Sequence, residues 1–347
     1  MSVLSKPSVY FPEYTVTQEE IIECLRQLHS DQPHAEKAFD MVRNSSIDKR
    51  HLIVPLDKVV SLENFDERSM IYDEQARLMS EQTARQAIEN AGLQPKDISM
   101  VIVTSCTGFM MPSLTAHLIN ALNLKDSTIQ LPMAQMGCVA GAAAVNRAFD
   151  HCNQSVQNNA LIVALETSSL CFDKYANRIQ DFVTNSLFGD ACAAVVMRGD
   201  DQTSGMKLTH SACHFLPESE AFIRYDMTPR GFKFSLDKEV MYSIERVAPV
   251  IDQFVQSSKE KASKELDFYL FHTGGRRIQD EVERTLELTS DALDHSRACL
   301  RETGNTSSAA VIDVLRRSFA HRKAGEQGVM AAFGPGFTTE MALGTWQ

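Results

Sequence analysis

Cys138, His272 and Asn305 occur in that order along the 347-residue chain, and a thiol, an imidazole and a side-chain amide together suit nucleophilic catalysis. The segment from Ser127 to Ala144 reads as a short strand, a turn and then a helix opening at Cys138. Nearly every residue after the cysteine is small (Val139-Ala-Gly-Ala-Ala-Ala144), so this helix can pass close to other backbone deep in a core. A thiol at a helix N-terminus meets the positive end of the dipole, which favours the reactive thiolate. His272 directly follows strand-like Phe268–Phe271, and Asn305 stands at the mouth of another helix. Taken singly, each residue has a plainer reading. Free cysteines are mostly inert packing, and Asn305 before Thr306-Ser-Ser could simply be a helix cap. Together they sit at strand-to-helix junctions, where α/β sheets build their sites.

The chain is long enough for one large domain or two intimately packed halves. Its eight cysteines (Cys24, Cys106, Cys138, Cys152, Cys171, Cys192, Cys213, Cys299) form no C-x-x-C pair and no cluster with histidine. They read as reduced thiols, with no metal site expected. The net charge of −11 argues against nucleic acid as a partner. No apolar run is long enough to span a membrane, and the N-terminus lacks the basic start and apolar centre of a signal peptide. A cytoplasmic protein is expected.

Apolar strand candidates recur at 100–103, 160–165, 191–197, 268–271, 328–333 and 341–346. Helical patterns lie between them at 75–91, 114–122, 139–152, 240–258, 276–288 and 308–320. Strands alternating with helices imply an α/β architecture, and strands apolar on both faces imply helices on both sides. The polar stretch Gly199–Met206 divides the chain into residues 1–205, with the cysteine, and 206–347, with the histidine and asparagine.

Met136-Gly-Cys138, Leu187-Phe-Gly-Asp190, His272-Thr-Gly-Gly275, Gly304-Asn305 and Phe333-Gly-Pro-Gly-Phe337 occur in this order across nearly the whole chain. On these motifs the sequence resembles the type III polyketide synthases of the chalcone synthase class. That resemblance implies a thiolase-like fold of two duplicated halves in αβαβα layers, and a homodimer. It implies substrates carried as coenzyme A thioesters, with neither a carrier protein nor a cofactor. Cys138 would take the starter acyl group, while His272 and Asn305 would polarise the thioester of incoming malonyl-CoA and drive its decarboxylation. Two donors aimed where negative charge develops lower such a barrier.

The same resemblance makes Phe188 and Phe234 the gate of the cavity and sends Met111 across the dimer to wall the partner's cavity. It assigns chain length and cyclisation to Cys171, Tyr225 and Ser307, and the shape of the cyclisation chamber to the Gly334-Pro335-Gly336 turn. For the coenzyme A phosphates Lys37 fits, but Asp40 and Asn44 stand where further basic residues are expected. Arg43, Lys49 or Arg50 could substitute, as could Gly274 with Arg276 and Arg277 at a helix start. Thr273 replaces the family's usual proline. The expected reaction uses malonyl-CoA to start and to extend, and closes a 3,5-diketo chain carbon-to-carbon into phloroglucinol. The rival products are tetrahydroxynaphthalene and, from a longer acyl-CoA starter, pyrones, with Met110, Met111 and Met133 as an adaptable lining. A papain-like hydrolase would show disulfides and an aromatic motif after the cysteine, which this chain lacks. An initiating ketoacyl synthase would lack the Gly-Pro-Gly turn.

Overall fold

The computed structural model describes residues 2–32, 34–175 and 177–347. The chain begins β1 (Val3–Leu4), β2 (Ser8–Tyr10), β3 (Tyr14–Thr17), α1 (Gln18–His29), α2 (Ala35–Arg43), β4 (Lys49–Leu52), α3 (Leu56–Ser61) and α4 (Phe65–Asn90). It continues β5 (Met100–Ser105), α5 (Leu114–Leu122), β6 (Ile129–Ala134), α6 (Ala140–Cys152), β7 (Asn159–Thr167), α7 (Ile179–Leu187) and β8 (Asp190–Arg198). Then come β9 (Met206–Ser219), β10 (Ile223–Thr228), β11 (Gly231–Leu236), α8 (Val240–Lys259), β12 (Phe268–Phe271) and α9 (Arg276–Thr285). The last elements are α10 (Asp294–Thr303), α11 (Ala310–Ser318), β13 (Gln327–Gly334) and β14 (Gly336–Trp346).

Strand pairing exposes a duplication. From one side β5 pairs parallel with β7, β7 antiparallel with β8, and β8 antiparallel with β1. From the other side β12 pairs parallel with β13, β13 antiparallel with β14, and β14 antiparallel with β9. The two series meet where β1 pairs antiparallel with β9; with β6 parallel beside β5 and β2 antiparallel on β8 they make one ten-stranded sheet.

Period-two alternation then sorts side chains into layers. On β7 and β8, Ala160, Ile162, Ala193 and Val195 face a central core that also holds Val145 and Ala148 of α6 and Val311 and Leu315 of α11. Their neighbours Leu161, Val163, Ala194 and Val196 face α4 and α5 on the outside. In the second half Phe268 and Leu270 turn to the same central core, while Tyr269 and Phe271 pack outward with α8 and α9. The order is α–β–α–β–α, the thiolase-like arrangement, with α6 and α11 buried between the two halves of the sheet.

Small residues allow that central layer. A Cβ on Gly141 would stand 2.2 Å from the Ser308 carbonyl oxygen and 2.9 Å from Val311 Cγ1. Gly141→Ala is therefore expected to cost about 3 kcal/mol, the upper range for overpacking a core. In a thermal melt this should lower the transition by at least about 5 °C. An unchanged melt would mean that α6 and α11 are not in backbone contact.

Candidate active site

β6 ends in a tight turn. Gln135 (φ 60°) and Gly137 (φ 54°) both adopt left-handed backbone, and a 3₁₀ turn over Gly137–Val139 leads into α6. Cys138 lies in that turn rather than in the α-helix itself. A matching 3₁₀ turn over Ser307–Ala309 leads into α11, so Gly137 (φ 54°) and Ser307 (φ 50°) hold corresponding places in the two halves, as do Cys138 and Ser308. The Gly334-Pro335 segment backs the Cys138 turn directly. A Cβ at Gly334 would lie 2.7 Å from the Val139 amide, and one at Gly137 would lie 2.9 Å from the Pro335 ring.

Asn305 is both an acceptor and a donor. Its backbone amide donates to Leu187 O at 2.9 Å, and its carbonyl accepts from Gly189 N at 3.1 Å, which bridges it to Phe188. Its side-chain Oδ1 accepts the Ser307 amide at 2.8 Å. That bond fixes the orientation of the amide, leaving Nδ2 to point at Cys138 Sγ, 3.9 Å away. The N-cap of the following turn is Thr306, so Asn305 is not the cap itself: it stands one residue before it, accepting through one end of its side chain and donating through the other.

His272 leaves β12 with its amide donating to Ala331 O at 2.9 Å. The ring is buried (2% exposed) and Nδ1 has no hydrogen-bond partner among the described residues. Burial lowers His272 to about 3. Burial likewise pushes the Cys138 thiol up to about 11, with donors on Ser307 and Asn305 pulling weakly the other way. The sequence led us to expect a thiolate favoured by a helix end, but desolvation outweighs the dipole in this turn. Each value reflects one uncompensated charge. Passing the thiol proton to the imidazole creates both charges at once, facing one cavity, and each then offsets the other's desolvation.

Cys138, His272 and Asn305 line one cavity of about 690 Å³, together with Phe188, Phe234, Gly274, Ser307 and Pro335. The Phe188 and Phe234 rings stack at 5.8 Å and 27°, and Tyr225 stands edge-on to Phe234 at 5.6 Å. Cys171 lines a neighbouring cavity instead. Met111 is 85% exposed and does not line this cavity. Lys37 is exposed on α2, and Arg43 pairs with Glu19 at 3.2 Å and Asp40 at 3.3 Å. Arg277 Nη1 lies 3.1 Å from Met241 Sδ, and Arg276 Nη1 donates to Asn44 O at 3.4 Å. Arg50, considered above for the phosphates, is corrected by the structure: it is 1% exposed and enclosed beneath α1, away from the surface.

Sequence reasoning missed Glu166. It ends a strand buried along its whole length, and Oε2 accepts from the Cys106 amide at 3.1 Å and Thr107 Oγ1 at 3.0 Å. Oε1 accepts from Ser307 Oγ at 3.3 Å and from Ser308 Oγ. Burial raises its pKa despite these bonds. The signal was available: a carboxylate within an otherwise apolar strand must find donors. Cys106, also unassigned from sequence, lines the catalytic cavity beside this network. Among the described residues no cluster of metal-ligating side chains exists, and no helix is long and apolar enough to cross a membrane.

Residues 7–201 match the N-terminal domain of chalcone and stilbene synthases, and residues 207–344 match their C-terminal domain. The chain belongs to this family, the type III polyketide synthases, and is an acyltransferase-type enzyme. Among its relatives, the phloroglucinol synthase of Pseudomonas fluorescens is 50% identical over 100% of this chain and 99% of its own length. The 1,3,6,8-tetrahydroxynaphthalene synthase of Streptomyces coelicolor is 41% identical over 100% of this chain and 93% of its own. The solved structure of a Streptomyces coelicolor tetrahydroxynaphthalene synthase superposes with a TM-score of 0.97 at 40% identity, covering 99% of both chains.

Proposed function

We propose that this enzyme makes phloroglucinol from three molecules of malonyl-CoA. The observation that carries the product assignment is the 50% identity, over essentially both full lengths, to a phloroglucinol synthase. The chemistry follows from the cavity. Cys138 Sγ attacks the starter thioester, the new acyl–sulfur bond forms, and coenzyme A leaves as its thiol with the proton held by His272. A second malonyl-CoA then presents its thioester oxygen to His272 and Asn305 Nδ2. As carbon dioxide departs, negative charge gathers on that oxygen, and the two donors stabilise the enolate. The enolate carbon attacks the acyl group on Cys138, returning the sulfur for the next round. After two extensions the starter's own carboxylate leaves as a third carbon dioxide, and the carbon it frees attacks the thioester carbonyl on Cys138. The six-carbon ring closes carbon-to-carbon and the Cys138 thiol is released.

Under this reading residues 1–205 supply the nucleophile and residues 206–347 the decarboxylating pair. Phe188 and Phe234 gate entry, while Tyr225, Ser307, Gly334 and Pro335 contour the chamber, with Cys171 in the adjoining space. Lys37, Arg43, Gly274 and Arg277 would meet the coenzyme A moiety, and the substrates need neither a carrier protein nor a cofactor. The high exposure of Met111, with Phe109 also exposed nearby, supports a homodimer in which Met111 walls the partner's cavity.

Purified enzyme given malonyl-CoA alone is expected to yield phloroglucinol as its main product by chromatography and mass spectrometry. The 41% identity to a tetrahydroxynaphthalene synthase supports the second reading, two further condensations on the same site. Tetrahydroxynaphthalene as the main product would select it. Turnover only after a fatty acyl-CoA is added would move the assignment to pyrones.

A further inference from the structure

Arg50 is a fully buried cation with unused donors. It is 1% exposed, and Nη2 donates to the Gln18 amide oxygen. Nε and Nη1 have no hydrogen-bond partner among the described residues. Among the described residues no carboxylate pairs with it; burial alone accounts for its lowered pKa of about 9, so it remains charged at neutral pH. A buried charge left unpaired is costly, and folded proteins seldom keep one without an anion or a ring of hydrogen bonds.

Its surroundings hold it still. Gln18 Nε2 donates to Val42 O at 3.0 Å and to Ser45 Oγ at 2.8 Å, which turns the amide oxygen toward Arg50. The Arg50 Cβ lies 3.1 and 3.6 Å from where Cβ atoms on Gly189 and Gly304 would stand, so its stem is wedged beneath the loops bearing Phe188 and Asn305. Arg50 also lines the second cavity, of about 410 Å³, together with Ser168, Cys171 and Asn185. Ser168, Phe188 and Phe234 are common to both cavities, so this one adjoins the catalytic chamber through the gate phenylalanines.

We propose that Arg50 determines the choice of starter: its unused N–H groups bind the free carboxylate of a malonyl-primed chain carried on Cys138. This deepens the malonyl-priming reading given above and rests on it. An uncharged acetyl starter leaves the guanidinium unpaired, whereas a carboxylate supplies both the missing charge and the missing acceptors, and such charge-assisted bonds are the strong ones. Selection then arises from the cost of leaving Arg50 unmatched.

The test is a competition between unlabelled malonyl-CoA and ¹³C-labelled acetyl-CoA, read as the ratio of labelled to unlabelled aromatic product by mass spectrometry. Arg50→Gln is expected to raise that ratio at least tenfold. Gln18→Glu sets the chain's own carboxylate against the guanidinium at nearly constant volume, and should shift the ratio the same way. Melting curves establish that each variant is folded. If Arg50→Gln does not fold, Gln18→Glu decides alone. A ratio within twofold of wild type in the folded variants overturns the proposal and leaves Arg50 a purely structural wedge. Wild-type enzyme that forms no aromatic product from malonyl-CoA alone overturns the priming reading itself, and this inference with it.

Discussion

Cys138→Ala is expected to reduce product formation from malonyl-CoA by a factor on the order of 10⁴ or more, with the melting temperature within about 2 °C of wild type. The thiol stands at the cavity wall, and its contact with Asn305 Nδ2 at 3.9 Å is weak, so little structure depends on it. Cys106 lines the same cavity and is the obvious candidate to rescue the variant. It should fail. Burial and the neighbouring Glu166 carboxylate hold its thiol well above the ordinary value, and its sulfur already donates to that carboxylate at 3.4 Å. No imidazole is bonded to it to take the proton. Decarboxylation, by contrast, needs only His272 and Asn305, so the variant should still release carbon dioxide and accumulate acetyl-CoA. Measuring the two outputs together distinguishes a lost nucleophile from a lost fold. Aromatic product within tenfold of wild type would remove Cys138 from the role.

The contrast between Cys138 and Cys106 also shows where the sequence was informative. Phe268–Phe271 and Leu114–Leu122 carry apolar runs whose ends coincide with β12 and α5, because both are bounded by polar or turn residues. The helix read from residue 75 in fact starts at Phe65, where the Asn64 side chain accepts the Glu67 amide; its first turns are polar enough to hide the period. β9 escaped notice for a different reason. Fourteen residues long, it mixes buried and exposed positions along its length, so no apolar run marks it. The β10–β11 hairpin, which carries Tyr225 and Phe234, packs its aromatics on one another and on the gate instead of on a core. The order of Cys, His and Asn was legible. The cavity they share was not, because it depends on a β1–β9 junction and a Phe188–Asn305 bridge that pair residues from the two halves. Electrostatics were the least legible: helix position argued for a thiolate, and only burial reveals the opposing and larger effect.

That opposition makes His272→Ala the more instructive variant. Alone in its buried turn, the Cys138 thiol at about 11 would be ionised in about one molecule in 10⁴ at pH 7. Under the proposed mechanism the imidazole accepts that proton and the two charges arise together, so wild-type alkylation by iodoacetamide is expected to proceed near its limiting rate at neutral pH. The sign is definite. His272 is held neutral, down to about 3, by burial, so it is an empty base throughout the working range until the thiol protonates it. Removing it leaves the thiol with the value that burial dictates. The alkylation rate of His272→Ala should then be low at pH 7 and climb roughly tenfold per pH unit toward 11. Carbon dioxide release should fall about 10²- to 10³-fold, the usual effect of losing one donor to a developing oxyanion, while Asn305 sustains the remainder. A variant whose alkylation stays fast at neutral pH would show that the turn and its donors ionise Cys138 without help. One whose decarboxylation is unchanged would leave Asn305 as the sole polarising group.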